Sequence, residues 1–348
     1  MKRRGALLAI ALPVAASVAA LSPELGAARA AKILRWPGPG PQLRSAGLAP
    51  TALVDWNRGC EGCHAEIAAE WRSSRHHVAY TNASFQAALE REPEHTRAFC
   101  VRCHAPESKL AAGVDGAARL GVACITCHVP LGPVLAVESS SASPHASFAS
   151  LSFRSVDACK SCHEFELPRH RRPGLMQRTV SEHRESGSEL SCSACHMPKR
   201  AGHRSHGFPG GYDEAFVRDA LEVDATIAGS RATIRLVPRR VTHAVPTGDL
   251  FRRLAVEVQP IGAGGERLAP MRRYLARHYV DAGGERVELS DDRPHLAARL
   301  VHFELPAAAR GRFEWRVRYE SVGFHRGDDE AKAEVESAFL IASGAVDR

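Results

Sequence analysis

The chain has 348 residues, ten cysteines and a formal net charge of +7. Lys2, Arg3, Arg4 and Arg29 against Glu24 place +3 of that charge at the N-terminus, so seven less three leaves +4 on the rest. No basic stripe interleaved with aromatic residues accompanies the excess, so the charge gives no ground for nucleic-acid binding.

Residues 1–30 open with Lys-Arg-Arg, continue through an apolar stretch from Gly5 to Leu21 and end in Ala28-Arg29-Ala30. That order is expected of a cleaved export signal, which places the mature chain in the periplasm or outside the cell. An uncleaved membrane anchor is the alternative. The apolar stretch falls short of the roughly 20 residues that span a bilayer, and Pro13 interrupts it. No later segment is long and apolar enough to cross a membrane. Residues 31–55 read as a linker.

Five C-x-x-C pairs then use every cysteine: Cys60/Cys63, Cys100/Cys103, Cys124/Cys127, Cys159/Cys162 and Cys192/Cys195. A histidine follows each pair, at His64, His104, His128, His163 and His196. With 18 histidines in the chain, five such hits by accident are on the order of one in a few million. A disulfide needs no trailing histidine. Zinc ribbons take two pairs per metal and would strand one pair of the five. A redox dithiol occurs singly, near a βαβ pattern. Covalent attachment of c-type haem uses the pair, the gap and the histidine together. Two thiols one helical turn apart add to two vinyl groups on one porphyrin edge, and the next imidazole reaches the iron. The expected cofactor is haem c, five copies, with the ten cysteines as attachment points and the five histidines as iron ligands.

Residues 56–215 are expected to form the haem-binding domain from short helices. Glu61–Ser74 carries Ile67 and Trp71 at i, i+4 spacing, and Ser84–Glu92 is a second helix stopped by Pro93. The segment 137–152, "VESSSASPHASFASLS", reads as a loop. Large aliphatic clusters are scarce here, so porphyrins would supply the apolar interior, and folding would be coupled to their attachment.

After about residue 220 the pattern changes. "FEWRVRYESV" alternates Phe313, Trp315, Val317 and Tyr319 with Glu314, Arg316, Arg318 and Glu320, which predicts a half-buried strand. "ATIRLVP", "RLAVEVQPIG" and "HLAARLVHFELP" are further strands, separated by glycine-rich turns. Asp328–Ala342 fits either a terminal helix or a last strand. The expected fold class is α+β: a short-helix multihaem cytochrome c domain, then an antiparallel β-sandwich over residues 220–345.

The opposite face of each iron decides function. A second imidazole suits electron transfer, and an open face admits a substrate. Of four methionines, Met1 is in the leader and Met197 is tethered beside its own haem, so histidine is the expected partner. His145 stands alone in the 137–152 loop behind Pro144 and is one candidate. His95, five residues before Cys100, is another.

Longer stretches carry a resemblance. "CHAEIAAEWRSSRHHVA", "GVACITCHVP" and "CSACHMPKRAGHRSHGFPGGYD" resemble segments of multihaem cytochromes of the cytochrome c-554 type, relatives of the hydroxylamine oxidoreductases. "THAVPTGDLFRRLAVEV" resembles the turn into the C-terminal β domain of related cytochromes. The resemblance implies distal iron ligands at His76, His206 and His243. His77 competes with His76, and His203 competes with His206. His183 stands where the family often has tryptophan after glutamate, and is an alternative ligand.

Three functions remain open. The first is an exported pentahaem cytochrome that relays electrons between redox proteins through mostly bis-histidine haems. The second is an oxidoreductase with one open haem, acting on a small nitrogen or sulfur compound such as nitrite or hydroxylamine. The third is a subunit docked through its sandwich onto a membrane-bound or extracellular redox complex.

Overall fold

The computed structural model describes residues 50–108, 116–130, 132–141, 144–166, 175–200, 202–281, 286–309, 311–323 and 330–347. The expected leader, and the expected linker up to residue 49, lie outside these residues. Helices precede residue 220: α1 (Pro50–Cys63), α2 (Ala65–Ser73), α3 (Ala83–Glu90), α4 (Glu94–His104), α5 (Cys124–His128), α6 (Asp157–His163), α7 (Thr179–Glu185), α8 (Cys192–His196) and α9 (Glu214–Asp219). Three short strand pairs lie between them: β1 (Leu135–Ala136) with β2 (Phe148–Ala149), β3 (Glu164–Glu166) with β4 (Leu175–Arg178), and β5 (Lys199–Arg200) with β6 (His203–Arg204).

Every C-x-x-C-H segment forms a helical turn, because two residues three apart must share one face. In four of the five the helix stops at the histidine. The next residue leaves helical geometry, at Ala105 (φ −149°, ψ 67°), Val129 (φ −134°, ψ 44°), Glu164 (φ −148°, ψ 107°) and Met197 (φ −134°, ψ 65°). The first copy differs. His64 (φ −105°, ψ 51°) interrupts the helix expected over Glu61–Ser74 and divides it into α1 and α2. The helix expected over Ser84–Glu92 is α3, with the Asn82 side chain accepting from the Phe85 amide at 3.0 Å.

The C-terminal half is built from β7 (Leu221–Ala228), β8 (Arg231–Pro238), β9 (Arg252–Ile261), β10 (Met271–Leu275), β11 (Arg277–Asp281), β12 (Arg286–Asp291), β13 (Arg299–Glu304), β14 (Arg312–Val322) and β15 (Val335–Val346). Antiparallel sheets run β13-β8-β7 and β10-β9-β14-β15, with β11-β12 as a separate pair. The two larger sheets face each other across one core that includes Ile234, Leu236, Val256, Val258, Phe303, Phe313 and Val317. This is the α+β sandwich arrangement that the alternating strands announced.

Asp328–Ala342 resolves in favour of a strand: β15 begins at Val335, pairs with β14 and stacks Phe339 on Tyr319 at 5.1 Å. On the outer face of the larger sheet the charges answer one another across the ladder. Glu257 stands opposite Arg316 and Arg272 and binds both, while Arg253 opposite Glu320 binds it at 2.8 Å.

His278 on β11 donates from Nε2 to Asp292 at 2.8 Å and from Nδ1 to Glu330. Those two carboxylates raise its pKa to about 10. The folded state therefore holds a proton that the unfolded chain releases near pH 6.5. The resulting stabilisation is complete below about pH 6.5 and is lost as pH climbs to about 10. Replacing His278 with Asn is expected to flatten the pH dependence of thermal unfolding across that window. Parallel wild-type and variant curves would contradict it.

Candidate haem centres

The helical half has small hydrophobic clusters. Leu53, Trp71, Ala123, Ile125 and Val129 form one, and Leu89, Val101, Ala105 and Ala118 another. Between them runs a continuous cavity of about 3360 Å³. An ordinary ligand site measures roughly 300–1,000 Å³. All ten cysteines line the cavity, with all five motif histidines and His76, His145, His206 and His243. No two cysteines are bridged. Among the described residues, no group of three or more His, Cys, Asp or Glu could hold a bare metal ion.

The histidines stand in facing pairs. His64 faces His145 with ring centroids 6.2 Å apart, and His163 faces His76 at 6.3 Å. His128 faces His206 at 6.1 Å, and His196 faces His243 at 6.1 Å. A metal–imidazole bond is about 2 Å long, and the ring centre lies roughly 1.2 Å beyond the nitrogen, so two imidazoles on one iron stand about 6.4 Å apart.

Hydrogen bonds select which nitrogen points at the partner. The Nδ1 of His104 bonds the Ala79 carbonyl at 2.8 Å, that of His128 the Leu135 carbonyl at 2.7 Å, and that of His196 the Pro209 carbonyl at 2.7 Å. His206 bonds the Arg204 carbonyl at 2.8 Å, and His243 the Ala244 carbonyl at 3.0 Å. A carbonyl only accepts, so Nδ1 carries the proton and Nε2 keeps a free lone pair. Burial, the largest cause in each case, also disfavours protonation. It pushes His76 down to about 3 and His163 and His243 to about 4, and it lowers His104, His128 and His206. Neutral imidazoles with a free Nε2 are the state that binds iron.

Local packing delivers the side chains that face the motif histidines. The His76 turn lies against Gly121 (φ +60°), whose added Cβ would stand 2.3 Å from the carbonyl oxygens of His76 and His77. The Val122 amide donates to the His76 carbonyl at 2.8 Å, and Trp71 Nε1 donates to the Val122 carbonyl at 2.8 Å. Glu70 on α2 accepts from the His206 amide at 2.8 Å. The same carboxylate accepts from His203 Nε2 at 3.2 Å, which commits that nitrogen and sets His203 apart from His206.

The structure does not bring His95 to any motif. It sits exposed in the first turn of α4, outside the cavity wall. Nine residues before His104 on the same helix, it lies about 13 Å away along the axis. His183 lines the cavity but bonds Thr242 Oγ1 through Nδ1 at 2.7 Å. His77 packs on Trp71 at 4.3 Å, away from the cavity wall. His104 therefore has no facing imidazole among the described residues. Its ring lies flat on Phe85 at 3.7 Å.

Residues 59–129, spanning the first three motifs, match the family model "Cytochrome c554 and c-prime". The fold matches the crystal structure of a penta-heme cytochrome c552 from Thermochromatium tepidum, with a TM-score of 0.64 and 20% identity. The match covers 82% of this chain and 97% of that one. Among curated proteins, none matches the chain.

The chain has the fold of a multihaem c-type cytochrome and resembles the cytochrome c-554 family.

Haem c fits the donor set. Paired thiols and a neutral imidazole recur on each helical turn, and the cavity has no comparable apolar side-chain filling. Burial pushes the thiol of Cys100 up to about 11 and those of Cys124 and Cys127 to about 12, whereas a neighbouring thiol lowers Cys103 (beside Cys162) and brings Cys192 (beside Cys159) down to about 7. In space the motifs do not follow chain order. Cys60 neighbours Cys124, Cys103 is within hydrogen-bonding reach of Cys162, and Cys159 is within reach of Cys192. The fourth motif thus touches both the second and the fifth.

The supporting residues escaped sequence reading. Glu70 and the carbonyls of Ala79, Leu135 and Pro209 carry no motif, since their roles arise from chain crossings of 7 to 136 residues.

In the purified mature protein, His243→Ala is expected to convert one low-spin ferric iron to high-spin in electron paramagnetic resonance. His95→Ala is expected to leave the spectrum as it was. An unchanged His243→Ala spectrum would remove that ligand.

Proposed function

We propose that the chain is an exported pentahaem cytochrome that transfers electrons between redox proteins. The four facing imidazole pairs in one cavity carry this reading. Haem c, where bound, supplies one-electron iron chemistry. The protein's own part is to fix each axial nitrogen and keep water away. Each Nδ1–H···O=C bond raises the basicity of Nε2, which favours the ferric form and sets the potential.

Export is supported by the basic start, the apolar stretch and the Ala-Arg-Ala end of residues 1–30. Among the described residues, no helix is long and apolar enough to cross a membrane.

Motif adjacency supplies the route. The first motif neighbours the third, the third neighbours the fourth, and the fourth neighbours the second and fifth. Cys63, His64 and His145 are exposed, so the first motif presents its edge to solvent. A soluble donor or acceptor, or a membrane-bound redox complex, would meet the protein there through a small transient contact.

One observation favours a second activity at the second motif. His104 has a carbonyl-bonded Nδ1 and no facing imidazole among the described residues. An iron held there keeps one face for a small ligand, which fits an oxidoreductase acting on a nitrogen or sulfur compound. Cys103 beside Cys162 would connect that site to the relay.

Mass and absorbance of the mature protein are expected to give five haems. Electron paramagnetic resonance is expected to show four low-spin irons and one high-spin iron that binds nitric oxide. A colourless folded protein would end the proposal. Five low-spin irons would leave the relay and remove the second activity.

A further inference from the structure

The segment that carries His243 is tied down on both sides of the ligand. Before it, Thr242 Oγ1 meets His183 Nδ1 at 2.7 Å. After it, the Ala244 amide donates to Glu182 Oε2 at 3.2 Å, and Thr247 Oγ1 donates to the same oxygen at 2.6 Å. Thr179 adds a contact to Thr247 at 2.9 Å. Thr179, Glu182 and His183 all lie on α7, nine to thirteen residues before the Cys192 motif. Arg293 closes the arrangement from the β half. Its Nη1 donates to the Pro246 carbonyl at 2.7 Å and its Nη2 to Glu182 Oε1 at 2.5 Å.

Glu182 is 2% exposed and Arg293 is 8% exposed. Taking such a pair out of water costs several kcal/mol per ion, which mutual attraction repays poorly. Net stability therefore explains the pair badly. What it does supply is a single place for residues 242–247. Without these bonds, the segment keeps the Val245 amide's bond to the Pro294 carbonyl at 3.0 Å, while the His243 Nδ1 bond to its own neighbour's carbonyl moves with the loop.

We infer that Glu182 is a positioning residue for the axial ligand His243: through the Ala244 amide and the Thr247 hydroxyl it holds that imidazole against the haem of the Cys192/Cys195 motif. The inference rests on the haem reading above. Glu182 touches neither iron nor substrate and acts through the loop. Together with Thr179 and His183, it links the haem-motif half to the turn that enters the sandwich, across 62 residues of sequence to Ala244.

The test uses mature holoprotein carrying Glu182→Ala, Glu182→Gln, Thr247→Val or His243→Ala. Haem content is measured by absorbance, and spin states by electron paramagnetic resonance. Glu182→Ala is expected to keep the wild-type haem content and to lose at least half of one low-spin signal, the one that His243→Ala removes. Glu182→Gln keeps an acceptor oxygen for the amide and the hydroxyl, and is expected to restore that signal. Should Glu182→Ala fail to fold, Thr247→Val is expected to shift the g-values of the same signal alone. A purely structural role would lower the melting temperature with every low-spin signal intact. That result in Glu182→Ala, or unchanged g-values in Thr247→Val, overturns the inference. If His243→Ala itself leaves the spectrum unchanged, the ligand assignment fails instead, and the two failures are distinguishable.

Discussion

The bond from a histidine Nδ1 to a backbone carbonyl governs this protein. It is a weak interaction, worth about 1 kcal/mol net. Its consequence is qualitative: it decides which ring nitrogen is free. In His104, His128, His196, His206 and His243 the acceptor is a carbonyl, so the lone pair sits on Nε2 and points into the cavity. Histidines elsewhere do otherwise. His203 gives Nε2 to Glu70, and His278 gives both nitrogens to carboxylates and is held as a cation. One residue type thus presents a free Nε2 or serves as an ion-pair partner, according to whether a carbonyl or a carboxylate lies beside it.

The two halves of the chain obtain their interiors differently. The sandwich buries Ile234, Leu254, Val256, Phe303 and Phe313 in one continuous core. The helical half has small side-chain clusters around a cavity lined by thiols and imidazoles. A chain with so few aliphatic contacts does not offset its conformational entropy unaided. Covalent porphyrins would add large apolar faces at fixed points, and each helical turn needs only to present two sulfurs and one nitrogen. Short helices suffice for that, and in four of the five copies the helix stops at the histidine.

How much of this was legible in sequence follows from contact range. The motif residues were, because cysteines three apart and the adjacent histidine meet within one helical turn. Strand β14 was as well, since Phe313, Trp315, Val317 and Tyr319 alternate with charge. The helix expected over Glu61–Ser74 breaks at His64, where attachment geometry overrides propensity. Strands β10 to β12 gave weak signals, because arginines and acids that pair across the ladder obscure any alternation. The opposing histidines were visible only through resemblance or loop context. His206 is presented by a carboxylate 136 residues away, and no local pattern encodes such a crossing. His95 had proximity to Cys100 in its favour, but a shared helix carries it away from the ring it would need to face.

That no imidazole faces His104 among the described residues gains meaning from the place of this motif among the others. Were the five turns arranged in chain order, the second would lie within the row, and an open iron there would interrupt it. The Cys103–Cys162 contact places the second motif beside the fourth, and Cys159 joins the fourth to the fifth. The row from the exposed first motif through the third and fourth is thus complete in paired imidazoles without the second. The second motif stands as a side branch. Under the proposed function, a small-ligand site at the end of a branch would not alter the row that feeds it, so relay and chemistry would coexist in one cavity.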